Sequence, residues 1–103
     1  MSTSKAVADA IVLQLQQVAD VRSRAMMGGR LIYADEVLVG QINEDELFVK
    51  ASAFVDEYAP ELERRPPYDG AKPAAVVPTG RLDDQGWLRG LLAGSVEALR
   101  GKR

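Results

Sequence analysis

No cysteine and no histidine occurs anywhere in this 103-residue chain. Without cysteine there is no disulfide framework and no thiol nucleophile. Without histidine there is no imidazole base, and together the two absences exclude a zinc site of the usual kind. No apolar run approaches the roughly eighteen residues of a membrane span, and Met1-Ser2-Thr3-Ser4-Lys5 leads into a mixed segment, not an uninterrupted apolar signal. A cytoplasmic protein is expected. Serine stands at positions 2, 4, 23, 52 and 95, never in a nucleophile-elbow pattern. Basic excess is lacking too: formal net charge is −2 and the pI about 5.1, whereas binding to nucleic acid by counterion release needs clustered Lys and Arg.

What remains is ordinary for a globular chain, with 47% hydrophobic and 27% charged residues. Its length provides for one domain, residues 1–103, with one modest core. The stretch from Met26 to Ala51 organises the rest. Arg30-Leu31-Ile32-Tyr33-Ala34, Val37-Leu38-Val39-Gly40-Gln41-Ile42 and Leu47-Phe48-Val49-Lys50 are rich in β-branched, aromatic and other apolar residues, which suit a pleated, half-buried surface. Asp35-Glu36 and Asn43-Glu44-Asp45-Glu46 separate them. Connections this short join antiparallel neighbours, so the stretch reads as a β-meander. Alternation puts Leu31 with Tyr33 and Leu47 with Val49 on one face each, leaving Arg30 with Ile32, and Glu46 with Phe48 and Lys50, on the opposite ones. Val37 to Ile42 is apolar on both sides, as a central strand would be. One sheet face should therefore be covered by helices, and the other is mixed and not fully polar.

Helical periodicity appears before and after the meander. Val7, Ile11, Leu15 and Val18 make one stripe behind a Ser4 cap, predicting a helix over residues 5–18. Ser52 caps a second helix over 53–58, with Phe54 and Tyr58 on one face before Pro60. Residues 64–70, with Pro66, Pro67 and Gly70, read as a connecting loop. Residues 74–77 are a strand that rejoins the sheet. Asp83 or Asp84 caps a last helix with Leu88, Leu91, Leu92, Val96 and Leu99 on its apolar face. Residues 100–103 form a frayed basic tail. The fold class is thus α+β: two layers, an antiparallel meander sheet packed by amino-terminal, middle and carboxy-terminal helices.

Few residues offer chemistry. Arg22, Arg24 and Arg30 are close enough in sequence to form a local phosphate-binding patch on an otherwise acidic chain. Gly28 and Gly29 supply a backbone turn with positive φ; a phosphate loop would open a helix, and these open a strand. Gly86, Gly90 and Gly94 recur every four residues on the last helix, which predicts close approach, either by the protein's own sheet or by a second subunit. Glu44-Asp45-Glu46 lacks the ligand spacing of a calcium loop. No catalytic residue, cofactor or metal site is expected.

The segment Val21-Arg22-Ser23-Arg24-Ala25-Met26-Met27-Gly28-Gly29-Arg30-Leu31-Ile32-Tyr33-Ala34-Asp35 resembles the Arg-x-Met-Phe-Gly-Gly-x-Gly-x-Tyr pattern of the N-terminal domain of TfoX/Sxy-type proteins. Leu47-Phe48-Val49-Lys50 is similar to that family's Leu-Tyr-Leu-Lys strand, and Val77-Pro78 with Trp87-Leu88 to its carboxyl end. The likeness extends over about residues 7–100, with departures at Met27, at Arg30-Leu31 and at Asp35-Glu36. It implies a fold related to secretion chaperones, and a kinship with regulators of natural competence that act with the cyclic-AMP receptor protein. The expected function is a non-enzymatic module acting through protein contacts in transcriptional regulation. Direct nucleic-acid binding through the arginine patch and small-ligand binding, with or without catalysis, are the alternatives. A protein partner, a homodimer and no membrane contact are expected.

Overall fold

The computed structural model describes residues 3–100. Its elements run α1 (Lys5–Gln16), β1 (Val21–Met26), β2 (Gly29–Ala34), β3 (Val37–Asn43), β4 (Glu46–Val49), α2 (Ala53–Tyr58), β5 (Arg64–Arg65), β6 (Ala74–Val77), a 3-10 turn (Thr79–Asp83) and α3 (Gln85–Arg100). All strand pairs are antiparallel, in the order β1-β2-β3-β4-β6-β5. The α+β meander architecture is therefore present, enlarged to six strands. The tail residues 101–103 lie outside the described part.

Three two-residue turns join β1 to β4, at 27–28, 35–36 and 44–45. Both residues of each have positive φ: Met27 43°, Gly28 86°, Asp35 49°, Glu36 66°, Glu44 49° and Asp45 66°. This is the type I′ geometry, whose twist matches that of the flanking strands. Gly29 is already the first residue of β2, opposite Met26. Its constraint is different, since a Cβ there would run into the Ile42 carbonyl.

α1 stops at Gln16, two residues before the end of its apolar stripe, and Val18 and Ala19 bond back to the Leu15 carbonyl in a final turn. Ser4, Ser52 and Asp84 cap the three helices by accepting from the amides of Val7, Val55 and Trp87. Such caps satisfy helix donors that have no carbonyl partner. The segment expected to be loop over 64–70 begins with the two-residue strand β5, paired to β6.

The core lies between the helices and one face of the sheet. Ala8, Ile11 and Leu15 of α1, Leu88, Leu91, Leu92 and Val96 of α3, and Val55 of α2 meet Val21, Ile32, Ala34, Val39, Ile42, Leu47, Val49, Ala75 and Val77. One irregularity sets which residues of β3 take part. Ile32 pairs with Gly40 but Tyr33 with Leu38, leaving Val39 as an extra residue, a β-bulge. The bulge re-phases the strand, so Val39 and Ile42, at odd separation, are both buried in the core. At Gly40 a Cβ would overlap the Phe48 backbone, so the neighbouring strands tolerate only glycine there.

Candidate functional site

The sheet face away from the helices carries Arg22, Arg24 and Met26 of β1, Leu31 and Tyr33 of β2, Leu38 and Gln41 of β3, Phe48 of β4, and Ala74 and Val76 of β6. Cross-strand partners such as Arg24–Leu31, Leu31–Gln41, Gln41–Phe48 and Phe48–Val76 fix this assignment. Phe48, Ala74 and Val76 form a second, small buried cluster. Arg65 reaches over it, its guanidinium 5.6 Å from the centre of the Phe48 ring. A two-pronged bond to Glu46, 2.9 Å on each prong, holds that guanidinium, and Glu63 takes its Nε at 2.8 Å. The Arg65 hydrogen bond holds the Glu46 carboxyl below its ordinary range, and Glu46, then Glu63, raise Arg65.

Beyond the cluster, residues 66–73 arch over the sheet. The Asn43 side-chain amide donates to the Pro67 carbonyl at 2.6 Å and pins the arch. Between arch and strands lies a groove of about 740 Å³ whose lining includes Leu31, Leu38, Phe48, Lys50, Tyr68 and Lys72. It meets a second hollow of about 390 Å³ that reaches Met27 and Asn43; Met26, Gln41 and Tyr68 line both. The floor is apolar. Tyr68 is 53% exposed and Met27, on the tip of its turn, 96%. No Asp or Glu stands in either lining. Among the described residues the side chains of Lys50 and Lys72 make no hydrogen bond or ion pair, and neither does that of Arg24 next to Leu31. Most other arginines are paired: Arg22 with Glu36, Arg30 with Asp9, Arg64 with Asp56, Arg81 with Glu61.

The three arginines singled out in the sequence do not form one patch. Arg22 and Arg24 lie on the groove side. Arg30 pairs across to Ile42 on the helix side, where its guanidinium donates to Asp9 at 2.8 Å and to Ser23 at 3.4 Å. Arg22 is held by Glu36 and stacks 4.4 Å over Tyr33. The separation follows from parity: across any two-residue antiparallel turn, even-numbered residues of β1 share a face with odd-numbered residues of β2.

The glycine line on α3 is also reassigned. A Cβ at Gly90 would overlap the Tyr58 hydroxyl, and one at Gly94 the Phe54 ring. The close neighbour is thus α2, not the sheet, and these two positions are filled from within the molecule and closed to a second subunit. Gly86 meets only Asp84 Oδ1 at 4.0 Å. Phe54 and Tyr58 stack at 5.0 Å, Tyr58 and Trp87 at 6.2 Å, and the Tyr58 hydroxyl donates to the Trp87 carbonyl at 2.8 Å.

Sequence reasoning missed the groove itself. Lys50, Lys72 and Tyr68 converge because β6 returns beside β4; the sequence predicts that residues 74–77 rejoin the sheet but not beside which strand. Pro66-Pro67-Tyr68 reads in the sequence as part of a connecting loop, not as a wall. Chemically, an apolar floor with unpaired cations can bind and orient an amphipathic anion. The described residues include no group of three or more His, Cys, Asp or Glu that could hold a metal ion, and no helix among them is long and apolar enough to cross a membrane. The TfoX N-terminal domain family matches the chain over residues 13–99. No curated protein gives a match.

Proposed function

This chain belongs to the TfoX N-terminal domain family, and with the groove as the second premise we propose that it is a non-enzymatic module working by protein contact in transcriptional regulation. The observation that carries the reading is the continuous apolar groove on the helix-free face, extending from Lys50 to Met27. An adaptable methionine at one end and a half-exposed tyrosine on the wall are side chains suited to a protein partner. On the sheet's helix side the apolar residues are already buried in the core.

A photo-reactive residue in place of Tyr68, compared with one in place of Leu13 on α1, tests this in the native host extract. Leu13 is similarly exposed, at 59%, but lies outside both hollows. Protein adducts from position 68 and not from 13 support the reading; equal or no adducts from 68 refute it. Direct nucleic-acid contact is the second reading, supported by the unpaired Arg24. It predicts duplex binding that weakens steeply with salt and is lost in Arg24→Ala.

A further inference from the structure

We infer that the groove's partner is an acidic peptide segment with alternating apolar side chains, about six residues long and laid along β3. The inference rests on the protein-contact reading and names the class of partner. Charge is the first argument. The chain as a whole carries 15 acidic against 13 basic residues, yet the charged residues lining the two hollows are Lys50, Lys72 and Arg30, all basic. Arg30 is neutralised by Asp9. Lys50 and Lys72 have no counter-ion among the described residues. An acidic chain that gathers unpaired lysines beside its exposed apolar surface is complementary to a partner both acidic and apolar.

Shape is the second argument. Leu38, next to the start of β3, lines the groove, and Asn43, at the strand's other end, borders the hollow reaching Met27. The two hollows together therefore follow β3 over residues 38–43. An extended chain rises about 3.3 Å per residue, so about six residues match it, with inward side chains meeting the floor at Leu38 and at the cross-strand row Leu31–Gln41–Phe48.

Met27 supplies a third observation. Its φ of 43° is in the left-handed region, where asparagine or glycine is favoured, and its side chain is almost wholly exposed. The fold gains nothing visible from methionine there, whereas a partner reaching that end of the groove would.

The test is fluorescence anisotropy on the full chain. The probe is a labelled peptide Glu-Leu-Glu-Phe-Glu-Leu-Glu, with a counterpart carrying lysine for each glutamate. The acidic probe is expected to saturate, to bind at least about tenfold more tightly than the basic one, and to weaken several-fold between 50 and 500 mM salt on the order expected from screening. The double variant Lys50→Glu with Lys72→Glu should reverse the preference between probes; both lysines are exposed, and an unchanged thermal melt confirms the fold. Leu31→Asn should weaken the acidic probe at unchanged charge. Equal binding of both probes, a double variant that keeps the original preference, or tighter groove binding by decanoate or a DNA duplex would each overturn the inference. If the acidic probe fails while cross-links from position 68 persist, the partner class falls and the protein-contact reading stands.

Discussion

Gly94→Ala should destabilise the protein although it replaces glycine by alanine inside a helix. The intrinsic preference favours alanine by about 1 kcal/mol. Against it, the new methyl would occupy space held by Cζ, Cε1 and Cε2 of Phe54. The ring has no free path inward, because it stacks at 5.0 Å on Tyr58, which is itself fixed by the Trp87 carbonyl. It must turn toward solvent. If roughly 100 Å² of apolar ring is uncovered, at about 25 cal/mol per Å², the cost is about 2.5 kcal/mol. The net loss is then about 1.5 kcal/mol. Phe54→Ala removes the obstacle, so in that background Gly94→Ala should stabilise by about 1 kcal/mol. Urea melts of the four proteins, followed by far-ultraviolet circular dichroism and Trp87 fluorescence, measure the cycle. Gly86→Ala, which meets only Asp84 at 4.0 Å, is the control and should not destabilise. If Gly94→Ala stabilises the unmodified chain, or the two changes add within about 0.5 kcal/mol, the packing argument is wrong.

Three further outcomes are expected. Ser95 is fully buried and its hydroxyl has no hydrogen-bond partner among the described residues, so Ser95→Ala should leave stability unchanged or raise it by about 1 kcal/mol in the same melts. Met27→Asn should raise the melting temperature by relaxing the left-handed turn residue, while weakening the acidic probe in anisotropy. Stability should fall on acidification below about pH 4.5, the ordinary carboxyl value of glutamate. Glu46, Glu36 and Asp9 are all held lower by Arg65, Arg22, and Lys5 with Arg30; their stabilisation is present above the unfolded values and disappears as pH falls through the folded ones. Glu46→Gln should flatten that acid limb, and an unaltered limb would show that Arg65 contributes nothing through this pair.

The strands of the meander were legible because each is a short apolar run between polar pairs, and alternation assigned Leu31 and Tyr33 to one face and Arg30 and Ile32 to the other. Carrying that parity across the turn into β1 separates Arg30 from Arg22 and Arg24, which sequence proximity alone groups together. Val39 is different in kind. A bulge depends on where two strands pair, so nothing in Val37-Leu38-Val39-Gly40-Gln41-Ile42 taken alone says which residue is extra. The glycines of α3 showed that something approached closely, and their spacing showed on which line. That the visitor was the Phe54–Tyr58 pair of α2 required knowing how two helices pack. The groove was least legible, because residues 66–73 become a wall only once β6 has paired with β4.

That late pairing has a kinetic side. β1 to β4 are joined by turns of two residues, so each contact between them closes a very short loop. β4 and β6 must meet across residues 50–73, and long closures are entropically slower. The meander is therefore expected to assemble first, with the β5–β6 unit docking onto its edge afterwards. The same unit carries the arch, whose attachment rests on few contacts: the Asn43–Pro67 bond and the Arg65 fork. Amide exchange should accordingly be faster at Ala71, bonded only to the Tyr68 carbonyl of its own turn, than in β2 and β3. The wall that shapes the groove would then be the last part of the molecule to form and the first to let go.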